Sequence, residues 1–238
     1  MRYVRDQTGR FAERPHYEPK ELDLMFQRII VEFLRSRHGK VEFPITTDDL
    51  TVLIERDTED LDAFANLDKY GYGVEGVTEF RPGRKPTVRI SQNLGNSGVR
   101  ENRLRTTLTH EYGHVQLHGY LFAMNATGPG LFDAGNKSSI IACKRDTMIS
   151  AARTDWMEWQ AGYACGALLM PAPYVQSAIE SYRKQNGLYG PIPASTPQGQ
   201  NLIDLLVDRF QVSRDAARVR LSVLGFLGEA PVVGALPL

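Results

Sequence analysis

Three residues have the types and spacing of a zinc hydrolase centre: His110, Glu111 and His114, in the pattern HExxH. On an α-helix, residues four apart lie one above the other on the same face, so the two imidazoles can hold one metal ion together. A zinc ion held in this way polarises a carbonyl group and activates water, and the adjacent Glu111 carboxylate can act as general base. The pattern therefore predicts hydrolysis of a peptide bond.

The motif lies on a predicted amphipathic helix. Leu104, Leu108 and Tyr112 recur about one helical turn apart and Val115 continues the series, so an apolar stripe runs beside the histidines. This context argues against the alternative that the five histidines of the chain produce the pattern by accident. Gly113 costs about 1 kcal/mol relative to alanine in a helix interior, which predicts that another element packs closely there.

Catalytic zinc usually has three protein ligands, so the chain must supply one more. A metzincin pattern would need histidine at the position of Tyr120, which excludes that class. The best candidate is Glu158, which begins a face of small residues on a predicted helix over 154–171. Asp155 is the alternative ligand, and Asp155 with Glu158 could instead form a capping box. We interpret His118 as a residue that supports a ligand or lies on the surface.

Composition and charge restrict the class of protein. Lysine plus arginine equals aspartate plus glutamate, at 28 each, so no net charge draws the chain to nucleic acid or to an anionic membrane. The two cysteines, Cys143 and Cys165, form no CxxC pair, which fits a reducing compartment, and we interpret Cys165 as a small buried residue. Without a signal peptide or a membrane-spanning apolar run, we expect a soluble, cytoplasmic protein.

The first half of the chain is expected to position the motif helix. Residues 1–20 lack periodicity and predict a flexible N-terminal arm. A core helix follows from Glu21 to His38, with Gly39 as its stop, and Thr46 is a potential cap for the next apolar run. Two β-type runs, Val74 to Phe80 and Thr87 to Ile90, predict a hairpin. Its segment Val88 to Ser91 is either an edge strand that pairs with extended substrate or an ordinary structural strand.

The remaining segments are less regular. Residues 119–153 combine loop sequences with one short predicted strand, Ile140 to Ala142, and suggest a flap over the site. Lys144 and Arg145 could contact substrate, although solvated charge is the simpler interpretation. After a linker at 184–200, two short helices end at Gly225 and have the outline of a helix-turn-helix. Direct DNA binding is not expected, because acidic residues offset the arginines there: Arg214, Arg218 and Arg220 against Asp204, Asp208 and Asp215.

The chain resembles the ImmA/IrrE family of metallopeptidases. The resemblance depends on RLRTTLTHEYGHVQLH (103–118), EWQAGYACGALLMP (158–171), the hairpin GVEGVTEFRPGRKPTVRIS and the late segment FQVSRDAARVRLSVLG. It implies that His110, His114 and Glu158 hold one zinc ion and that Glu111 is the catalytic base. It also implies a protein substrate, a helix-turn-helix (XRE-type) repressor or antitoxin encoded nearby, which the C-terminal helices help to engage. The long 119–153 insertion departs from compact members.

These observations predict an α+β fold: a small antiparallel sheet packed on helices, with an HExxH zinc helix and a C-terminal helix-turn-helix-like subdomain. The expected domains are a flexible arm (1–20), a zincin-like metallopeptidase domain (21–183), a linker (184–200) and a C-terminal helical subdomain with tail (201–238). The expected function is site-specific, zinc-dependent cleavage of a repressor or antitoxin, which derepresses genes. The alternative is a non-catalytic regulator or toxin-antitoxin component, in which the metal is structural and the chain binds DNA or a partner repressor.

Overall fold

The structure is a computed structural model that describes residues 1–95, 101–125, 139–144 and 155–228. It has the predicted α+β class, with two compact units: Met1–Leu169 and a second unit that begins at Met170. This division falls ahead of the domain limit predicted at residue 183. A search of the described helices for one long and apolar enough to cross a membrane finds none.

The N-terminal residues form an antiparallel pair of strands, β1 (Arg2–Arg5) and β2 (Glu13–His16), where a flexible arm was expected over 1–20. The turn between the strands is organised by the buried Asp6 carboxylate. It accepts hydrogen bonds from the backbone amides of Thr8 and Phe11 and from the indole of Trp156. Because one of these partners is distant in sequence, local composition could not predict the ordered hairpin.

Two helices follow as predicted. Helix α1 (Pro19–His38) buries one apolar face and ends at Gly39, which has the left-handed conformation (φ 73°) that glycine adopts at low cost. Helix α2 (Thr47–Asp57) begins at Thr46, whose hydroxyl accepts a hydrogen bond from the Asp49 amide at 3.0 Å. Both caps are therefore confirmed.

The main sheet has four strands in the order β3-β5-β4-β6: β3 (Asp60–Ala65), β4 (Val74–Phe80), β5 (Thr87–Ser91) and β6 (Ser139–Lys144). The predicted hairpin is β4 and β5, paired antiparallel. Strand β3 pairs parallel with β5, so this sheet is mixed rather than antiparallel. Since β5 has a neighbour on both sides, the substrate-edge alternative for Val88 to Ser91 is excluded, and the alternative of an ordinary structural strand agrees with the structure.

The elements that carry the predicted site come next. A short helix α3 (Gln92–Gly95) precedes the motif helix α4 (Glu101–Asn125), which runs past the expected end near Gly119. The predicted short strand at 140–142 is confirmed as part of β6, and α5 (Trp156–Leu169) corresponds to the predicted second helix. The rest of the predicted flap, including Arg145 and the side chain of Lys144, lies outside the described residues.

The second unit contains α6 (Ala172–Gln185), β7 (Ile192–Pro193), α7 (Pro197–Phe210), α8 (Arg214–Val223) and β8 (Leu227–Gly228), with β7 parallel to β8. Helix α7 begins within the predicted linker, because Thr196 caps it by accepting from the Gly199 amide. Ser213 caps α8 in the same way, as predicted. Both late helices are therefore confirmed, while their helix-turn-helix role stays a prediction.

Candidate metal centre

Two closely packed helices bring the predicted ligands together. A Cβ atom on Gly113 of α4 would lie 3.0 Å from Ala161 Cα and 3.1 Å from Ala164 Cβ on α5. This confirms the close packing predicted at Gly113. Small residues at this point let the two helices approach closely, and the His110 and His114 imidazoles of α4 face the Glu158 carboxylate of α5.

The three predicted ligands form a triangle of side chains, in which each histidine contacts a different oxygen of the Glu158 carboxylate. His110 Nε2 lies 3.2 Å from His114 Nε2 and 3.2 Å from Glu158 Oε2, and His114 Nε2 lies 3.3 Å from Glu158 Oε1. Ligands of a tetrahedral zinc ion, with bonds of about 2.0–2.1 Å, lie about 3.3 Å apart. Both histidines are fully buried, and Glu158 is 7% exposed. The spacing and the burial of these donor atoms therefore suit a bound metal ion.

A hydrogen-bond chain fixes which nitrogen of His114 faces the triangle. The Gln160 amide nitrogen donates to the Pro15 carbonyl oxygen at 2.9 Å, so its Oε1 atom accepts from His118 Nε2, 3.1 Å away. His118 Nδ1 then carries no proton and accepts from His114 Nδ1 at 3.0 Å. His114 Nδ1 is therefore the donor in this chain, and Nε2 is the nitrogen that faces His110 and Glu158, as in metal-ligating histidines.

His118 has a supporting role in this chain. Its side chain is fully buried, so the interpretation that it lies on the surface is wrong. Burial lowers the pKa of the His118 imidazole well below its usual value, and the neighbouring His114 acts in the same direction. A neutral ring with one donor and one acceptor nitrogen is the form that the chain needs.

The second carboxylate of the site, Glu111, is held by strand β4. Thr78 Oγ1 donates to Glu111 Oε2 at 2.6 Å, and a Cβ atom on Gly76 would lie 2.1 Å from Glu111 Oε1. Glycine is therefore the only residue type at position 76 that leaves room for the Glu111 carboxylate where it lies. Glu111 Oε1 is buried, and no described residue has a donor at hydrogen-bond distance and angle from it.

The two buried carboxyl groups have opposite protonation tendencies. Burial raises the pKa of Glu111, although the two ligand imidazoles and the Thr78 hydroxyl act against it. Burial also acts to raise the pKa of Glu158, but hydrogen bonds to His110 and His114 outweigh it and hold that pKa well below its usual range. Two carboxyl groups whose pKa values are shifted in opposite directions suit different tasks, one as proton carrier and one as permanent anion.

A fourth candidate ligand was missed by the sequence analysis. Cys143 on β6 is fully buried, with its Sγ atom 3.3 Å from His114 Nε2 and 3.6 Å from Glu158 Oε1. One donor atom from each of His110, His114, Glu158 and Cys143 lies within 4.8 Å of all the others. No spacing rule connects Cys143 to the motif, since only the pairing of β6 with β4 brings it there.

Two residues considered in the sequence lie away from the cluster. Asp155, the alternative ligand, pairs with Arg10 at 3.4 Å and is not part of the donor group. Cys165 is buried with its Sγ atom 3.0 Å from Thr109 Oγ1, in agreement with a packing role.

The opposite face of α4 is anchored to α2. Tyr112 Oη and Gln116 Nε2 donate to the same Asp57 oxygen, at 2.5 and 2.7 Å. Burial acts to raise the pKa of Asp57, but hydrogen bonds from Arg56 and Tyr112 outweigh it, so the pKa is lowered and the group stays ionised. This anchor fixes the rotation of the helix that carries the histidines.

Two comparisons with known proteins were negative. No protein-family model matches the chain, and a search of curated proteins finds no match. By its own chemistry, the set of two imidazoles, a carboxylate and a thiol could hold a metal ion.

Proposed function

We propose that the protein is a zinc-dependent endopeptidase. The proposal is supported mainly by the buried triangle of His110, His114 and Glu158. The two histidine Nε2 atoms lie 3.2 Å apart, and each lies 3.2–3.3 Å from one Glu158 oxygen, close to the ligand spacing of zinc. A second buried carboxylate, Glu111, lies beside the triangle with a raised pKa. Two imidazoles and a carboxylate are a donor set that zinc accepts in hydrolases.

Each residue of the site has a separate role. When bound, zinc supplies Lewis-acid polarisation of the peptide carbonyl and activates water. Glu111 accepts the proton of the attacking water at Oε1 and later gives it to the leaving nitrogen. Thr78 holds the other oxygen of Glu111, and Gly76 leaves space for the carboxylate.

The proposed substrate is a helix-turn-helix repressor or antitoxin, cleaved at one site to release gene expression. This part of the proposal is supported by the resemblance to the ImmA/IrrE family, together with the confirmed pair of late helices. The proposed location is the cytoplasm, in agreement with two cysteines that form no disulfide.

The second candidate function is a non-catalytic regulator that uses its metal as a structural element. The nearby Cys143 favours it, because structural zinc sites have four protein ligands. Direct DNA contact by the second unit has less support. Arg214 pairs with Asp204, Arg218 lies 3.9 Å from Asp215, and the buried Arg220 donates to the Met170 carbonyl oxygen.

The test compares new protein N-termini in host cells that express the wild type or the Glu111→Gln variant. We expect one new terminus inside a helix-turn-helix protein with the wild type, and none with the variant. Glu111→Gln should still bind zinc, because Glu111 is not a ligand in the proposal. Cleavage by the variant within about tenfold of wild type would contradict the role of Glu111 as general base.

A further inference from the structure

Strand β6 lies along β4 at the point where β4 passes the metal centre. The two strands pair antiparallel from Phe80↔Ser139 to Val74↔Lys144, and Cys143 lies opposite Gly76. Gly76 lies against the Glu111 carboxylate, since a Cβ atom there would be 2.1 Å from Glu111 Oε1. A segment of the chain itself therefore covers the strand edge nearest to the proposed catalytic base.

The side chains of β6 alternate between the site and the surface. Cys143 points to the donor triangle, and Ile141, two residues earlier, packs in an apolar cluster with Leu121, Trp156 and Met157. On the other face, Ile140 is 47% exposed. An extended peptide that paired with β4 would place its side chains in the same alternation.

The Cys143 sulfur completes a four-ligand set. Its distances of 3.3 Å to His114 Nε2 and 3.6 Å to Glu158 Oε1 are close to the edges of a zinc tetrahedron, in which the longer bond to sulfur widens the edges. The same sulfur also lies within 4.8 Å of a donor atom of His110. A cysteine sulfur is a strong ligand for zinc, which binds it as the thiolate. Catalytic zinc sites keep their fourth position open, whereas this arrangement fills it with a protein group.

We propose that Cys143 is a fourth protein ligand of the metal and that β6 occupies the place at β4 where an extended peptide substrate would pair. The second half depends on the proposed peptidase function, and the first half does not. The protein is then a closed form, in which β6 must leave β4 before a substrate enters. The substrate it fits is an extended segment with a large apolar side chain at the position of Ile141.

The first experiment uses Co²⁺ alone as the probe and measures the near-ultraviolet sulfur-to-cobalt charge-transfer band. The chain has two cysteines, so the Cys165→Ser variant keeps Cys143 as its one thiol. We expect the band in the wild type and in Cys165→Ser, and its loss in Cys143→Ser and Cys143→Ala. Absence of the band from Cys165→Ser, or failure of the wild type to bind Co²⁺, would overturn the proposal.

The second experiment measures amide hydrogen exchange of β4 in the zinc-loaded protein. If Cys143 anchors β6, Cys143→Ser should raise exchange of the β4 amides that face β6 by about tenfold or more, since the open form gains population. Cys165→Ser is the matched control, with no change expected in β4. Equal exchange in the wild type and Cys143→Ser would show that the sulfur does not hold the strand, which would overturn the closed form.

Cleavage assays separate this proposal from the proposed function. The probe is a set of quenched synthetic peptides with isoleucine or aspartate at the position equivalent to Ile141. We expect Cys143→Ser to cleave isoleucine peptides at least about tenfold faster than the wild type, and aspartate peptides poorly. The cobalt band and faster exchange without cleavage by any variant would contradict the peptidase function and leave the four-ligand centre standing. If the wild type cleaved the isoleucine peptides as fast as Cys143→Ser, the proposal that β6 occupies the substrate position would be overturned.

Discussion

The two compact units of this protein bury different kinds of side chain. In the unit that begins at Met170, Arg220 is the one buried polar or charged residue among those described. The unit Met1–Leu169 buries a dense polar cluster around α4, from which the following are fully buried: Thr78, Thr107, His110, Glu111, His114 and His118. Buried polar groups cost free energy unless they are hydrogen-bonded or bind a cation.

The difference indicates where stability comes from in each unit. The described part of the second unit has an apolar core and two helix caps, and its buried Arg220 donates to the Met170 carbonyl oxygen. In the first unit, His110 Nε2 and His114 Nε2 face each other at 3.2 Å, and His110 Nδ1 has no hydrogen-bond partner among the described residues. We therefore expect a metal ion to stabilise the first unit and to leave the second unchanged.

Removal of the metal should have the largest effect. A ligand present at about a thousand times its dissociation constant stabilises the folded state by about 4 kcal/mol. For a unit of this size the melting temperature then falls by about 8–16 °C when a chelator is added. Calorimetry gives the shift, and hydrogen exchange shows which unit opens. Equal loss of protection in both units would contradict the comparison.

Loss of the His118 imidazole should weaken the centre next. His118→Ala removes the acceptor that orients His114, and groups of this kind are worth about 10–100-fold in metal affinity. Competition with a chelating dye measures the affinity. His38→Ala, a change at a half-exposed histidine on α1, is the control and should leave the affinity unchanged. Equal affinities for the two variants would exclude a supporting role for His118.

A matched pair of glycines tests the helix packing. Gly113→Ala places a Cβ atom 3.0 Å from Ala161 Cα, and such overpacking costs about 1–3 kcal/mol. At Gly119 on the same helix, an added Cβ atom would lie 3.7 Å from its nearest neighbours. Gly119→Ala should therefore raise the free energy of unfolding by up to about 1 kcal/mol through helix propensity. Denaturant unfolding measures both. If Gly113→Ala changed neither the free energy of unfolding nor the zinc affinity, the close approach of α4 and α5 would not be required.

The smallest effect concerns acid stability away from the site. Burial acts to raise the pKa of Asp49, but His38, Thr46 and Arg37 outweigh it and lower the pKa. The group therefore stabilises the fold fully above its unfolded pKa of about 4 and loses this contribution as the pH falls through the folded pKa. Asp49→Asn should lower stability by about 1 kcal/mol or less at pH 7. The difference from wild type should shrink below about pH 4 in acid unfolding. If the stability difference between Asp49→Asn and the wild type did not change with pH, the charge of Asp49 would not explain it.

The sequence predicted those parts of the site that depend on local pattern. The spacing of His110, Glu111 and His114 and the apolar stripe beside them place the motif on a helix. The small residues after Glu158 predict a close helix partner, and Gly113 predicts the point of contact. Each inference needs only the 3.6-residue period of one helix.

The parts that could not be predicted all join distant segments. Thr78 contacts Glu111 across 33 residues, and Gln160 reaches Pro15 across 145. Cys143 lies at the metal centre because of the register in which β6 pairs with β4, and no local sequence pattern specifies that register. The parallel strand β3 was missed for the same reason, because its partner β5 follows only after the intervening β4.

The zinc content of purified protein tests the central claim most directly. Elemental analysis should find about one zinc per chain in the wild type and in Glu111→Gln, which keeps every ligand. The double variant His110→Ala, His114→Ala removes two ligands at once and should retain less than about a tenth of an equivalent. Wild type without zinc, or a double variant with a full equivalent, would contradict the assignment of this cluster as the metal centre.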